Sequence, residues 1–297
     1  MPEGPSKTAE YVAMFRAVES ARPDGERMFS DPYAACFLDG RLRFGARIAR
    51  SGAGQRLVRR YIDRNWPGSR PSVVIRTCQI DDAVAAAIES GAEQVAILGA
   101  GYDTRGLRLP AATAVPVFEL DQPPTQERKK DRLIRRDGSL PSNVTYVPFD
   151  LLEEGVGAPL ERAGFTTGRK TVFIWEGVLS YLTPEAVDAT LAWITSAGAP
   201  GSRLVFTYVD VALLRDGGED EPPWSAQVAR VGEPFRYGLD PARMDGFLGD
   251  RGLKPVWDLS TAESLKQHPV PGGTEAPDFY RVAEAEVVTG TQPQTGR

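Results

Sequence analysis

The chain has 297 residues, of which 41% are hydrophobic and 25% are charged, with a formal net charge of -5 and a pI of about 5.2. This composition predicts a packed globular core, in one large α/β domain with additions or in two small domains. The acidic balance disfavours nucleic acid and anionic membranes as partners.

The rare residue types exclude further classes of protein. The only two cysteines, Cys36 and Cys78, are isolated from each other, which excludes a disulfide framework, and the single histidine, His268, excludes a multi-histidine metal site. We therefore expect no metal. No apolar run approaches the roughly 20 residues of a transmembrane helix, and the first ten residues lack the apolar segment of a signal peptide. These features predict a cytoplasmic protein.

The N-terminal quarter of the chain is predicted to be helical. Residues 6–66 read as short helices, with a cap followed by a first-turn proline at Ser30-Asp31-Pro32 and a polar, arginine-rich stretch after it. A long helix is predicted over residues 71–90 and ends at Gly91. We interpret residues 1–68 as a helical N-terminal lid.

The rest of the chain alternates between β-rich runs and helical stretches. The predicted strands are QVAILGAGY, VPVFELD, NVTYVPFDL, KTVFIWEGVL, SRLVFTYVD, KPVWDLS and DFYRVAEAEVV. The predicted helices between them are residues 123–137, 157–163 and 184–197. Such alternation indicates right-handed βαβ units. It predicts a Rossmann-like α/β domain over residues 69–286, with a seven-stranded, mostly parallel sheet and a hairpin-like final strand.

One segment interrupts the alternation after the fifth predicted strand. Residues 211–238 are rich in Gly, Pro and charge, yet they include Trp224, Phe235 and Tyr237. A long loop with aromatic residues inside a compact domain is typical of a functional lid, so we predict an inserted lid here. Residues 287–297 are predicted to form a disordered tail.

The first predicted strand ends in a glycine turn. Gly99 and Gly101 would let a ligand approach the backbone closely, but Thr104 stands where a dinucleotide site of the form GxGxxG has its third glycine. The second strand ends with Glu119 and Asp121, which point to the same side. Asp121 lies closer to the strand end, 121 − 99 = 22 residues after Gly99, and is the better candidate to accept hydrogen bonds from ribose hydroxyls.

Acids also end the third and fourth strands. Asp150 is followed by apolar Leu151, a pair that suits the amine and the ring of an adenine, and Glu176 follows the fourth strand. Ligands of open parallel sheets bind at the carboxyl ends of the strands. A cleft with an acid at three strand ends suits a cationic sulfonium better than an anionic pyrophosphate.

In combination, these motifs resemble the leucine carboxyl methyltransferase family, and particularly its bacterial branch of S-adenosylmethionine-dependent methyltransferases. The resemblance covers about residues 6–286. The motifs that carry it are Ser30-Asp31-Pro32-Tyr33, Arg76-Thr77 through Ile80-Asp81-Asp82, ILGAGYDTR, FELDQP, Phe149-Asp150-Leu151 and EGVLSYLTPE. It implies the class I methyltransferase fold and S-adenosylmethionine as the cofactor, with S-adenosylhomocysteine as its product. One departure is Thr77-Cys78-Gln79, where aromatic or Arg residues are common.

The resemblance also implies roles at the methionine end of the cofactor. Arg76 corresponds to the arginine that grips the methionine carboxylate, and Glu176 to a residue near the methionine amino group. Tyr181 corresponds to a tyrosine near the transferring methyl, so Tyr181 and Glu176 are the candidate catalytic residues. Lys7 aligns with a lysine that helps to hold the cofactor under the N-terminal lid.

At the adenosine end, the resemblance implies five further cofactor contacts. Gly99 and Gly101 form the glycine turn, Asp121 is the ribose acid, and Asp150 with Leu151 contacts the adenine.

The shortage of histidine bears on the methyl acceptor. A carboxylate with a pKa of about 4 is ionised at neutral pH and needs no general base, whereas a hydroxyl normally does. We therefore predict carboxyl O-methylation of a small molecule. Arg16, Arg27 and Arg236 are candidates for holding that carboxylate.

Three alternatives stay open at this point. They are a hydroxyl O-methyltransferase of secondary metabolism, an NAD-dependent oxidoreductase, and a non-catalytic binding module that keeps the fold. Asp81 and Asp82 are interpreted as solvated or capping residues rather than catalytic ones.

Overall fold

The computed structural model of the protein describes residues 4–149, 155–215, 235–270, 272 and 275–288. The chain up to the first strand is helical, as predicted. The α-helices of this part are α1 (Lys7–Ser20), α2 (Gly40–Ile48), α3 (Gly52–Asn65) and α4 (Ser69–Glu89), and a short 3₁₀ helix spans Ala34–Phe37.

Local sequence explains most of this helical part. Asp31 accepts hydrogen bonds from the backbone amides of Tyr33 and Ala34, both at 3.0 Å, just before the 3₁₀ helix. The N-cap of that helix is Tyr33, so the helix begins later than the predicted cap and first-turn proline. Helices α2 and α3 lie in the arginine-rich stretch, within the predicted short helices of residues 6–66, although the sequence did not predict their boundaries. They form there because α2 buries Ala46 and α3 buries Val58 and Ile62. Packing of an apolar face stabilises short helices that would be marginal alone.

A seven-stranded sheet forms the centre of the molecule, as predicted. Its strands are β1 (Gln94–Leu98), β2 (Val117–Asp121), β3 (Val144–Pro148), β4 (Thr171–Trp175), β5 (Arg203–Val209), β6 (Leu253–Ser260) and β7 (Tyr280–Val287). Their order across the sheet is β3-β2-β1-β4-β5-β7-β6. Strands β1 to β5 pair in parallel, whereas β7 is antiparallel to both β5 and β6. The predicted hairpin-like final strand is therefore confirmed.

Helices cover both faces of the sheet. Those after β1 are α5 (Arg105–Arg108), α6 (Pro110–Thr113), α7 (Pro123–Asp137), α8 (Gly157–Arg162), α9 (Pro184–Ala197), α10 (Ala212–Arg215), α11 (Met244–Gly249) and α12 (Thr261–Gln267). Further 3₁₀ helices span Leu179–Tyr181 and Pro241–Arg243. The boundaries of α7 and α9 match the predicted ones to the residue, because each helix begins with proline in its first turn.

The core consists of apolar layers on the two faces of the sheet and beneath the N-terminal helices. One face buries Phe118, Trp175 and Leu191, and the other buries Ile80 and Ile97. Every residue of β1 and of β4 is buried, as expected for central strands with helices on both sides. Each large apolar side chain so buried contributes about 1.5–3 kcal/mol.

The strand order indicates where a ligand would bind. From β1 the sheet continues through β2 to one edge, and from β4 it continues through β5 to the other. The carboxyl ends of β1 and β4 therefore flank the point where the direction of winding reverses. Such a switch point leaves a crevice beyond the strand ends in which ligands of α/β proteins bind.

Two predicted segments fall largely beyond the described residues. Of the predicted lid, residues 211–238, the structure describes residues 211–215 and 235–238, and of the predicted tail it describes two residues. Strand β7 ends at Val287, a residue that both the predicted strand DFYRVAEAEVV and the predicted tail include. Division of the chain at residue 68 into a lid and a catalytic domain stays a prediction.

The described part of the chain contains no helix long and apolar enough to cross a membrane. It also contains no group of three or more His, Cys, Asp or Glu side chains placed to hold a metal ion.

Candidate functional site

The glycine turn after β1 packs directly against the loop after β4. Gly99 and Gly101 have positive φ angles of 71° and 50°, which side chains with a Cβ atom rarely adopt. A Cβ atom on Gly99 would lie 2.3 Å from Cγ2 of Val178, and one on Gly101 would lie 3.2 Å from Cβ of Ala9 in α1. Conformation therefore favours glycine at both positions, and at Gly99 the space available requires it as well. The turn also brings α1 close to the strand ends.

We expect Gly99→Ala to destabilise the fold by about 1–3 kcal/mol, because alanine would be strained at this φ angle and would overlap Val178. Urea unfolding measures this loss. The matched control is Gly246→Ala, since Gly246 lies inside helix α11 with nothing within 4 Å of its Cβ position. That substitution should be neutral or stabilising by up to about 1 kcal/mol. Equal effects of the two substitutions would contradict the proposed requirement.

The two acids of β2 have different surroundings. Asp121 is half-buried, and its carboxylate accepts hydrogen bonds from the backbone amides of Gly101 and, at 2.6 Å, of Gln122. Glu119 is buried and lies 2.5 Å from Nζ of Lys129. Burial raises the pKa of Glu119 to about 7 against the lowering effect of Lys129. The structure therefore places Asp121, not Glu119, beside the glycine turn.

Glu176, at the end of β4, forms an ion pair with two arginines. Its Oε1 atom accepts from Nε of Arg76 in α4 at 2.8 Å, and its Oε2 atom accepts from Nη1 of Arg105 at 2.8 Å. Burial by itself raises the pKa of Glu176, but Arg105 and Arg76 outweigh it and hold the pKa below its usual value. Glu176 is therefore a stable anion.

Arg105 joins three carboxylates in the buried interior. Its Nε atom donates to Asp81 at 2.8 Å, and its Nη1 atom donates to Asp103 as well as to Glu176. The pKa of Asp103 falls to about 2, because Arg105 and Lys129 outweigh the effect of burial. All four side chains are largely buried, so the pairing compensates for the loss of their hydration.

A second set of contacts extends this network to the N-terminal helices. Asp81 also accepts from Arg108 at 2.6 and 2.9 Å, which makes the solvated interpretation of Asp81 wrong. Arg108 donates to Thr104 at 3.0 Å, and Thr104 donates to Asp31 at 2.8 Å. Thr104, which stands where a dinucleotide-binding motif has its third glycine, thus links Arg108 to Asp31. Asp31 lies also 3.5 Å from Nε of Arg16 in α1.

Sequence reasoning missed most of this network. Asp103, Thr104 and Arg105 follow the glycine turn in GYDTR. Arg108 ends the short helix α5 that Arg105 begins, and Asp81 lies in the preceding helix, α4. A signal was available, since an acid and an arginine stood at a strand end beside a buried helix. Nothing in the spacing, however, indicated which charges meet.

Tyr181 is the last residue of the 3₁₀ helix after β4 and contacts the end of the predicted lid. Its ring stacks on Phe235 with 5.6 Å between centroids. The backbone amides of Arg236 and Tyr237 donate to the carbonyl of Ser180 at 2.7 and 3.1 Å. The chain that returns from the predicted lid is therefore fixed against the EGVLSYL motif.

Tyr280, at the start of β7, is a further neighbour that the sequence did not indicate. The guanidinium of Arg76 lies 5.1 Å from the centre of its ring, a distance typical of cation–π contacts. Its hydroxyl lies 3.1 Å from Oγ1 of Thr207, which also accepts from the amide of Gly177 at 2.8 Å. Strand β7 therefore contributes one aromatic ring, that of Tyr280, beside Arg76.

The remaining candidates have mixed outcomes. Lys7 is at the start of α1 with a 62% exposed side chain, and its Nζ atom lies 3.3 Å from Glu10. Its contact with a cofactor stays a prediction. Asp150 and Leu151 lie outside the described residues.

The three candidate arginines for the acceptor differ in their surroundings. Arg16 is buried and donates to the carbonyl of Tyr102, and Arg27 pairs with Asp24 at 2.8 Å. Arg236 is exposed and directly follows Phe235, the stacking partner of Tyr181. His268 is exposed at the end of α12.

Comparison with known proteins identifies the family and the relatives that this chain resembles. The family model for leucine carboxyl methyltransferase matches residues 9–195. A protein of Mycolicibacterium gilvum named "Putative S-adenosyl-L-methionine-dependent methyltransferase" is 35% identical over 243 residues, covering 78% of this chain and 73% of that protein. A Mycobacterium sp. (strain KMS) protein of the same name is 32% identical over 278 residues, covering 87% and 86%.

Two crystal structures have a similar fold. One is described as a putative methyltransferase from Thermobifida fusca, with a TM-score of 0.59, 18% identity and 96% coverage of both chains. The other is a DUF574 family protein from Streptomyces avermitilis, with a TM-score of 0.60, 16% identity and coverage of 96% and 98%. These likenesses support the class I methyltransferase fold. Given the family match and the identity to its relatives, the chain belongs to the leucine carboxyl methyltransferase family.

Proposed function

We propose that this protein transfers a methyl group from S-adenosylmethionine to the carboxylate of a small molecule. The coarser part of this statement, that the protein is an S-adenosylmethionine-dependent methyltransferase, follows from its family and its relatives. When bound, S-adenosylmethionine supplies a methyl group on a positively charged sulfur. Carboxylate as the acceptor is our inference from the site.

The residues at the strand ends fit the methionine end of this cofactor. Arg76 uses only its Nε atom for Glu176, and its two terminal nitrogens donate to no other residue that the structure describes. A guanidinium with two donors left is suited to a carboxylate. Glu176, kept ionised by its arginines, would attract the amino group of the same methionine.

The glycine turn fits the adenosine end. The positive φ angles and the absence of side chains at Gly99 and Gly101 leave the backbone open to a ligand. The amide of Gly101 already donates to Asp121, whereas a dinucleotide site keeps this turn for pyrophosphate. Asp121 would then accept from ribose hydroxyls, which favours adenosine without a pyrophosphate.

The acceptor is inferred chiefly from the state of Glu176. A general base for a hydroxyl works best with a pKa near the pH of the reaction, but Arg105 and Arg76 lower the pKa of Glu176. It is therefore a weak base. A carboxylate acceptor needs no general base. The protein then has to supply only alignment and a cleft shielded from water.

An exposed cation is available for such an acceptor. Arg236 lies next to the stacked pair Tyr181–Phe235, and no described carboxylate lies within ion-pair distance of it. We assign Arg236 the role of attracting the carboxylate, with Tyr181 positioning it near the methyl group.

We expect the labelled product to be a methyl ester and the rate to change little between pH 9 and about pH 5. Below that pH the acceptor begins to be protonated and the rate should fall. Glu176 should not add a step in this range, because its lowered pKa keeps it ionised throughout. A panel of carboxylic acids is incubated with methyl-labelled cofactor, and dilute alkali should then release the label.

Variants sharpen this test. Arg236→Ala should raise KM for the acid with little change in cofactor affinity, whereas the matched exposed substitution Arg243→Ala should change neither. Label that survives alkali, together with a rate that climbs through pH 7–9, would show that the acceptor is a hydroxyl.

A further inference from the structure

The outer face of helices α2 and α3 is strongly basic. Residues 41–64 contain eight arginines and one acid, Asp63, which gives a formal charge of 8 − 1 = +7. The rest of the chain then has −5 − 7 = −12. Seven of these arginines are exposed, namely Arg41, Arg43, Arg47, Arg50, Arg56, Arg60 and Arg64.

Several arginines elsewhere on the described surface form ion pairs. Arg135 pairs with Asp131 at 2.9 Å, and Arg251 pairs with Asp188 at 2.7 Å. None of the seven lies within 4.0 Å of a carboxylate in the described part of the chain. Repulsion among unpaired like charges opposes folding, so this arrangement indicates an external anionic partner.

Large apolar side chains are exposed on the same face. Phe44 is 65% exposed, Leu57 66% and Tyr61 59%. The inner side of the two helices is already buried against the core through residues such as Val58 and Ile62. The ring of Tyr61 also contacts the ring of Trp66, with 6.0 Å between centroids, yet each of the three side chains leaves more than half of its surface in solvent. We define the arginine face as these three residues with the seven arginines.

The pattern on α3 has a defined geometry. Arg56, Arg60 and Arg64 are spaced four residues apart and form one row along the helix, and Leu57 and Tyr61 form the adjacent row. A row of cations beside a row of apolar side chains is the arrangement of helices that lie in a membrane interface. Guanidinium groups bind lipid phosphates there, while the apolar groups enter the boundary with the acyl chains.

We propose that the arginine face docks the protein on an anionic lipid bilayer. The opposite charge of the remaining molecule would orient it, with the arginine face towards the lipid. An acidic protein would satisfy the charges, and so would nucleic acid, but neither accounts as directly for the parallel apolar row.

Docking would place the lipid close to the proposed site. Helices α2 and α3 pack on α1, whose Ala9 lies against Gly101 in the glycine turn. This inference is independent of the methyl acceptor, because it concerns only where the protein binds.

Sedimentation with vesicles tests the proposal on the full chain. We expect binding to phosphatidylcholine vesicles that contain about one quarter phosphatidylglycerol, and not to pure phosphatidylcholine vesicles, with affinity falling as salt is added. Arg56→Glu, Arg60→Glu and Arg64→Glu together should weaken binding at least about a hundredfold. The charge-matched control combines Arg135→Glu, Arg169→Glu and Arg243→Glu, which lie outside the arginine face, and it should bind nearly as the unaltered protein does.

A second variant tests the apolar row. Phe44→Ser with Leu57→Ser keeps every charge and should weaken binding at least about tenfold. Circular dichroism checks that each variant is folded. The proposal is overturned if the unaltered protein ignores anionic vesicles, if the two arginine triples bind equally, or if the apolar variant binds unchanged. It is also overturned if duplex DNA or polyglutamate binds through the same arginines while vesicles do not.

Discussion

Arg105→Met should destabilise the protein by about 3–5 kcal/mol, the cost of removing one partner from a buried ion pair. Arg105 is 1% exposed and contacts Asp81, Asp103 and Glu176. Methionine fills a similar space but leaves three carboxylates with less positive charge between them. Urea unfolding at neutral pH measures the loss, and the same variant should also bind the cofactor weakly because Glu176 loses its support.

A matched surface variant distinguishes the effect of losing a buried arginine from that of losing any arginine charge. Arg135→Met removes an arginine from an exposed pair with Asp131, and such pairs contribute about 0–1 kcal/mol. Arg105→Lys keeps the charge but has no fork of donors for three acceptors, so its stability should lie between those of Arg105→Met and the unaltered protein. If Arg105→Met were as stable as Arg135→Met, the buried network would not support the fold.

Arg76→Ala should weaken S-adenosylmethionine binding about ten- to a hundredfold, while the protein stays folded. Loss of a hydrogen bond to a charged group costs about 1.5–3 kcal/mol. The fold should persist because Glu176 keeps Arg105 as its second partner at 2.8 Å. Titration calorimetry with S-adenosylmethionine and S-adenosylhomocysteine measures the change.

Two comparisons make this result specific. Arg135→Ala, on the exposed side of α7, should leave cofactor affinity unchanged, and NAD should bind neither protein. A folded Arg76→Ala protein with undiminished affinity would refute the assignment of Arg76. Tight NAD binding without any response to S-adenosylhomocysteine would refute the proposed cofactor.

The strands and major helices could be predicted because their signals are local. Central strands buried on both faces read as apolar runs, and α7 and α9 begin with proline. Helices α2 and α3 fall within the predicted short helices of residues 6–66, but their boundaries could not be predicted, since arginine dominates their composition and the buried positions are few. Their formation depends on packing against α1, which composition does not report.

In the candidate site, too, some residues could be predicted from local sequence and others could not. Positions at strand ends, such as Gly99, Asp121 and Glu176, follow from the rule that parallel strands end on one edge, so sequence alone could propose them. The partners of Arg105 could not be proposed, because Asp81 and Glu176 are 24 and 71 residues away. Only folding brings these charges together.

By itself, then, the sequence determined the order of strands and helices, the glycine turn and the family. These depend on residue type at fixed local spacing. The tertiary structure decided which buried charges neutralise one another, and so why Glu176 stays ionised and Asp81 is not solvated. The sequence also shows that arginines are concentrated in residues 41–64, but only the tertiary structure shows that seven of them are exposed. This matters because net charge is a sum over the molecule, whereas binding depends on where each charge lies.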